Sequence, residues 1–202
     1  MLELAVLGLL HESPLHGYEL RQRLKATLGT FRAFSYGSLY PTLRRMKAAG
    51  WLCEDAGDAE VVAGAPPLTG RRGKVVYKLT AEGKERFGGL LAEAGPSSWE
   101  DETFGVHFAF FGQTDPAVRV RILEGRRSRL VERREGVRST LARTRSRLDR
   151  YTLQLQEHGL ESVEREVRWL TELIETERRA SPPPAVSPAG PPPPTPRERG
   201  AP

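Results

Sequence analysis

Three features of this 202-residue sequence predict a mostly α-helical fold with a small β-wing. Apolar residues recur at helical spacing in three short segments near the start, separated by proline or glycine. Two short β-prone segments follow, with a long loop between them. The second half carries apolar residues spaced alternately by four and three. This order predicts a winged helix-turn-helix, followed by a long-helix, coiled-coil-like domain.

The first two helices are predicted from apolar spacing and from their breakers. Leu2, Val6 and Leu9 open the chain at helical spacing, and Pro14 separates this helix from the next. The second helix carries Leu20, Leu24 and Leu28 and ends at Gly29, a residue suited to the position after a helix.

The third helix is predicted from Tyr36 to Ala49, with Ser35 as its N-cap and Gly50 ending it. Its buried stripe is expected to contain Leu39, Leu43 and Met46. A strand at 51–54 and its antiparallel partner at 74–79 would form the wing. Thr80 is then predicted to cap a fourth helix that ends near Ala92.

The second half is predicted to be a long helix from Asp115 to about Glu157, then a further helix after Gly159. Their apolar residues form a seam typical of a coiled coil, which predicts dimerisation through these helices. The seam residues are Val137, Leu141, Thr144, Leu148, Tyr151, Leu155, Val163, Val167, Leu170 and Ile174.

Composition divides the chain into four predicted parts. Residues 1–94 form the winged helix-turn-helix, and residues 95–115 form an acidic and aromatic connector. Residues 116–180 form a helical domain for dimerisation and effector binding. Residues 181–202 hold 10 of the 16 prolines, so this tail is predicted to be disordered.

Charge and cysteine content limit the classes of partner. A net charge of +5 permits a polyanionic partner, and the single cysteine, Cys53, excludes an intrachain disulfide and fits a reducing cytoplasm. The apolar run at 2–10 is too short to span a bilayer and no basic segment precedes it. We therefore expect a cytoplasmic protein with no membrane partner.

The segment from Leu20 to Cys53 contains seven basic residues and no acidic one. A surface that lies against phosphates has reason to exclude carboxylates, and small residues at the start of the third helix would allow close approach to DNA. The alternative is a solvated basic face, and for the wing a solubilising loop. The predicted DNA-binding residues are Tyr18, Ser35, Tyr36, Gly37, Ser38, Tyr40, Pro41, Arg44, Arg45, Lys47, Arg71, Arg72 and Lys74. Of these, Tyr18 could instead belong to the helix core.

From Arg119 to Arg150 there are twelve arginines and four acidic residues. This run could form a second nucleic-acid surface, a pocket for an anionic ligand, or the solvated side of a coiled coil. The aromatic residues of the second half could be core, dimer interface or effector pocket. The effector candidates are Phe104, Phe108, Arg126, Arg127 and Trp169.

No catalytic site is expected. The four histidines are scattered without metal-ligand spacing, and the sequence has no phosphate-binding Gly-rich loop and no nucleophile elbow. An enzyme would have to use the aromatic segment as a pocket. We therefore expect neither enzymatic activity nor a cofactor or metal.

Four motifs carry a family resemblance: LELAVLGLL at 2–10, PLHGYEL at 14–20, GSLYPTLRRM at 37–46 and YKLT at 77–80. Together they resemble the PadR family of bacterial transcriptional regulators, over residues 1–94. The second half looks like the dimerising domain of the longer members. One departure is the wing loop, in which residues 63–69 are inserted.

The resemblance implies a homodimer that binds a palindromic double-stranded DNA operator, usually as a repressor. It also implies control by a small molecule, bound between the domains or at the dimer interface. By position, Tyr18, Ser38, Tyr40, Pro41 and Arg44 match family residues near DNA, as do the wing residues Arg71 and Lys74. The competing hypothesis is a protein-interaction adaptor that docks through its Pro-rich tail.

Overall fold

The structure is a computed structural model, and it describes residues 1–29, 36–56 and 75–180. It is mostly helical with a small antiparallel sheet, which confirms the predicted fold class. In chain order the elements are α1 (Leu2–Glu12), β1 (Leu15–His16), α2 (Gly17–Leu28), α3 (Leu39–Ala48), β2 (Leu52–Ala56), β3 (Val75–Leu79), α4 (Ala81–Ala92), α5 (Phe104–Ala109), α6 (Pro116–Thr144) and α7 (Arg150–Ala180).

The sheet has the strand order β1-β3-β2, and both pairs are antiparallel. The predicted pairing of the two wing strands is confirmed, with Glu54 opposite Tyr77. Sequence analysis missed β1, because a strand of two residues has no periodicity to detect. Leu15 of β1 also lies opposite Tyr77, so the start of α2 is attached to the wing.

The N-terminal core is built around α1, in which every residue from Leu4 to Leu10 is buried. Helices α2, α3 and α4 pack on it. The predicted cap of α4 is confirmed, since the Thr80 hydroxyl accepts a hydrogen bond of 3.0 Å from the Gly83 nitrogen.

The third helix begins later than predicted. A 3₁₀ turn at Tyr36–Ser38 precedes α3, which starts at Leu39 rather than at Tyr36. Ser35, the predicted N-cap, lies outside the described residues. The end is as predicted, because Gly50 has a φ of 77° and ends the helix in the left-handed region that glycine favours.

The connector, residues 95–115, packs into two cores. Val106 and Phe110 are buried in the N-terminal core, while Phe104 and Phe111 are buried against α6 and α7. The ring of Trp99 lies on Gly125 of α6, where a β-carbon would be 2.4 Å from it. The predicted domain boundaries stay predictions, and the predicted disordered tail, residues 181–202, lies outside the described residues.

The predicted long helix to Glu157 is wrong. Helix α6 ends at Thr144, and α7 begins at Arg150, nine residues before the predicted break at Gly159. The Asp149 side chain accepts hydrogen bonds from the nitrogens of Tyr151 and Thr152, which is an N-cap that starts α7.

Helices α6 and α7 form an antiparallel hairpin. Ion pairs join them at two levels, Arg119 with Glu177 and Arg138 with Glu164. At the turn that follows α6, Arg145 pairs with Glu157 of α7. The hairpin core contains apolar residues of both helices, namely Val118, Ile122, Leu123 and Leu130 with Val163, Val167, Leu170 and Ile174.

This packing corrects part of the predicted dimer seam. Val163, Val167, Leu170 and Ile174 are buried against α6 of the same chain, so they are not available to a second copy. A heptad pattern shows that a helix packs on another helix, but it does not show which chain supplies the partner. In the described part of the chain, no helix is long and apolar enough to cross a membrane.

Candidate nucleic-acid interface

Helix α3 has one buried side and one exposed side. Leu39, Leu43 and Met46 are buried as predicted, each at 1% exposure or less. At about 3.6 residues per turn, Arg44 lies opposite this stripe. Lys47 and Arg45 then flank Arg44 on either side, so three cations lie across the exposed face.

The flanking cation Arg45 is turned towards α1. Its Nη2 lies 4.0 Å from a carboxylate oxygen of Glu3, and that carboxylate also accepts a hydrogen bond of 2.9 Å from the Nε of Arg86. The charge of Arg45 is therefore partly balanced within the fold.

The other flanking cation, Lys47, is paired with the wing. Its ammonium donates a hydrogen bond to the carboxylate of Glu54 on β2. Tyr77 lies opposite Glu54 on β3, and burial raises the pKa of its hydroxyl, with a further contribution from the Glu54 charge. Glu54 is thus close enough to act on both side chains.

Arg44 differs from its neighbours. It is exposed, and it makes no ion pair with any residue in the ranges that the structure describes. Within the described part of the chain, the centre of the α3 surface therefore presents one cation without a carboxylate partner. Phosphate oxygens are the strong acceptors that such a guanidinium suits.

Two tyrosines extend this surface. Tyr40 precedes Arg44 by one turn and is 52% exposed. A β-carbon on Gly17 would lie 3.5 Å from the rings of both Tyr40 and Tyr77, so the start of α2 approaches α3 and the wing closely. Tyr18 is 67% exposed, which excludes the alternative that it is a core residue.

The structure therefore places many of the predicted DNA-binding residues at one surface. Gly37, Ser38 and Pro41 are exposed at the start of α3, next to Tyr40. Ser35, Arg71, Arg72, Lys74 and the side chain of Tyr36 lie outside what the structure describes, so their predicted roles stay predictions. Sequence analysis missed Glu3 and Glu54, which act on the surface from other elements.

The aromatic effector candidates form one cluster. The Phe108 ring is 5.3 Å from that of Trp169 and 4.9 Å from that of Phe111, and Phe104 meets Trp169 edge to face at 6.3 Å. Phe104 and Phe111 are buried, whereas Trp169 is 39% exposed. The cluster is the hydrophobic junction of α5 with α7.

Arg126 does not fit the predicted effector role, because its guanidinium is already occupied. It is 7% exposed and binds Glu166 at 2.9 Å, the Trp99 carbonyl at 3.2 Å and the Asp101 carboxylate. The hydrogen bond from Arg126 holds the pKa of Asp101 below its usual value. Arg126 fastens the connector to the hairpin.

The connector also neutralises other arginines of α6. Arg129 lies 3.7 Å from Glu100, and Arg133 lies 3.4 Å from Asp101. The basic run of α6 and the acidic connector are therefore complementary parts of one fold. Arg127, the remaining effector candidate, lines an open groove of about 490 Å³ between α6 and α7.

A smaller pocket, of about 230 Å³, lies between the N-terminal core and the connector, and sequence analysis missed it. His107 lines it and is 7% exposed. Burial, with a smaller contribution from the Met1 ammonium, lowers the pKa of His107 to about 4. Its other lining residues are Met1, Glu3, Leu4, Arg86, Leu90, Glu93, Ser97 and Thr103.

The remaining seam residues lie near the tip of the hairpin. Tyr151 is 78% exposed and Leu155, one turn later on α7, is 67% exposed. Val137, Leu141 and Leu148 are half-buried. Among the residues with described positions, no group of three potential ligands is placed to hold a metal ion.

Comparison with known proteins matches residues 6–88 to the family described as "Transcriptional regulator PadR-like family". No curated protein matches the chain. A solved structure of Bacillus subtilis PadR in complex with operator DNA is 19% identical, over 87% of this chain and 98% of its own, with a TM-score of 0.39. The complex of that protein with p-coumaric acid gives the same values. The PadR-like regulator of Bacillus cereus is 20% identical, over 90% of this chain and 100% of its own, with a TM-score of 0.39.

Proposed function

Residues 6–88 are a domain of the PadR-like family of transcriptional regulators, and on this premise we propose that the chain is a sequence-specific DNA-binding repressor. It acts as a homodimer on a palindromic operator, and a small molecule tunes its affinity for DNA. The observation that carries the proposal is the exposed face of α3, where Arg44 lies between Lys47 and Arg45 without a carboxylate partner among the described residues.

The exposed face of α3 has the properties that a DNA-reading helix needs. Gly37 and Ser38, in the turn just before α3, are small enough for close approach to base edges, and Arg44 lies about two turns further along. Tyr40, about half exposed, lies between them. The buried stripe on the other side fixes the helix to α1, so the whole face is presented by a rigid scaffold.

The tip of the hairpin is the surface that we assign to contact with a second copy of the chain. Tyr151 and Leu155 are large apolar side chains one turn apart on α7, and both are exposed. Contact between two identical patches gives a twofold dimer. In a twofold dimer, two copies of α3 would bind two half-sites about 34 Å apart, which is the arrangement that a palindromic operator requires.

The pocket at His107 is the site that we assign to the effector. Its lining comes from α1, α4 and the connector. A ligand there would therefore contact both the N-terminal domain and the connector that leads to the helical hairpin. A neutral imidazole with the hydroxyls of Ser97 and Thr103 suits a small polar molecule. Such a ligand changes DNA binding only if it favours one arrangement of these parts over another.

The proposal is tested by selecting duplexes from a random pool and measuring affinity for the enriched sequence against mixed-sequence DNA. Arg44→Ala is expected to weaken binding about tenfold or more, because it removes a charged contact to DNA. Arg121→Ala is the matched control, since Arg121 is an exposed arginine on α6. Equal affinity for enriched and mixed duplexes would contradict the proposal and would favour the adaptor hypothesis.

A further inference from the structure

We propose that Glu54 competes with DNA phosphate for Lys47. Arg44 can bind a phosphate directly, whereas Lys47 must first give up its ion pair with Glu54. Glu54 is therefore a residue that limits DNA affinity. This inference rests on the proposed function, and it adds a negative determinant on the wing to the positive ones on α3.

The fold holds Glu54 at this place. Strand β2 pairs with β3 at five consecutive positions, from Leu52 opposite Leu79 to Ala56 opposite Val75. Glu54 lies at the middle of this pairing, directly opposite Tyr77. Lys47 lies on the last turn of α3, just before the chain enters β2, so the two side chains meet across the junction of helix and wing.

The pair is exposed enough to exchange. The Lys47 side chain is 49% exposed and that of Glu54 is 34% exposed. Ion pairs between solvent-exposed side chains are weak, whereas the phosphates of duplex DNA form a dense array of negative charge. Lys47 can therefore leave Glu54 and bind a phosphate. The affinity gained from this contact is reduced, because the ion pair is lost and because the Glu54 carboxylate then lies unpaired beside the negatively charged DNA.

The next residue provides a matched comparison. Asp55 carries the same charge, but its carboxylate binds the ammonium of Lys78 on β3. Side chains of successive strand residues point to opposite faces of a sheet, so Asp55 lies on the face away from Glu54. Neutralising either residue changes the net charge equally, yet only the change at Glu54 releases Lys47.

The test measures binding of Glu54→Gln and Asp55→Asn to a mixed-sequence duplex and to the duplex enriched by selection, over a range of salt concentrations. Glu54→Gln is expected to raise affinity about two- to fivefold per protomer, the size of a weak exposed ion pair. The increase should be the same for both duplexes, because a phosphate contact carries no sequence information. The dependence of log affinity on log salt is expected to steepen by about 0.9 per protomer. Asp55→Asn is expected to leave the salt dependence unchanged.

Lys47→Ala identifies the cation that is released. Adding Lys47→Ala to Glu54→Gln is expected to abolish the gain in affinity and the steeper salt dependence. An equal gain from Asp55→Asn, or no gain from Glu54→Gln, would overturn the inference. Arg44→Ala in the same titrations keeps the two proposals apart: if it weakens binding while Glu54→Gln has no effect, the DNA-binding function stands and only the role of Glu54 fails.

Discussion

Gly8 of α1 and Phe110, at the end of α5, are in such close contact that a β-carbon on Gly8 would lie 2.2 Å from Cε1 of the ring. Phe110 is 3% exposed and meets Phe87 of α4 edge to face at 5.9 Å. The ring therefore has little room to move. This contact joins the connector to the helix at the centre of the N-terminal core.

Gly8→Ala is expected to lower the free energy of unfolding by about 1–3 kcal/mol, because the added methyl overlaps a ring that is held by its neighbours. Chemical denaturation measures the change. Gly136→Ala is the control, since Gly136 lies within α6 with nothing within 4 Å of its added β-carbon. There the change should stabilise the protein by about 0.5–1 kcal/mol, through helix propensity alone. Equal effects at the two positions would contradict the contact.

Arg126→Gln is expected to lower the free energy of unfolding by about 2 kcal/mol, because it leaves the carboxylates of Glu166 and Asp101 without the cation that neutralises them. The cost should stay below that of a fully buried pair, since Asp101 is about half exposed. Arg121→Gln, on the exposed surface of the same helix, should change stability by less than about 0.5 kcal/mol. Thermal unfolding measures the stability of both variants. If Arg126→Gln leaves the stability unchanged, the connector is held by other contacts.

The neutral state of His107 predicts a pH dependence of stability. Its pKa is about 4 in the folded protein, against 6.5 ordinarily, so between these values the unfolded chain binds a proton that the folded protein does not. Stability should therefore fall as the pH decreases from 6.5 to 4, by roughly 3 kcal/mol from this group.

His107→Gln removes the titrating group and should flatten the profile in that range. Denaturation of both proteins at several pH values measures the difference between the two profiles, which isolates His107 from the carboxylates. A variant profile that keeps the slope of the original protein would assign the pH dependence to other groups.

The double substitution Tyr151→Ala and Leu155→Ala is expected to shift the protein from dimer to monomer without unfolding it, since both side chains are exposed within one chain. Sedimentation velocity measures the oligomeric state, and circular dichroism measures the helix content. Gln154→Ala with Gln156→Ala changes exposed residues of the same helix and should leave the dimer intact. A monomeric original protein would contradict the dimer outright.

Local features of the sequence predicted local structure well. The spacing of Leu39, Leu43 and Met46 identified the buried side of α3, and Thr80 identified the start of α4. Both depend only on residues within a few positions of each other. The break between α6 and α7 was missed because the apolar spacing continues through it. Asp149, whose type favours helix N-caps, was the signal that could have located it.

Contacts between distant residues explain the rest. The exposed face of α3 was predictable, but its balance of charge depends on Glu3, which lies 42 residues before Arg45 in the chain. Arg126 looked like a ligand for anions because Glu166 is distant in sequence and adjacent in space. A count of charges in one segment does not include carboxylates that the fold brings from another.

The seating of Trp99 on Gly125 has a mechanical consequence. From Gly125 to Thr144 the helix continues for roughly 28 Å, at about 1.5 Å per residue. With the indole as the pivot of such a rod, each degree of tilt would move the far end of the hairpin by roughly 0.5 Å. A tilt of about 6° at this contact would therefore move the tip of the hairpin by about 3 Å.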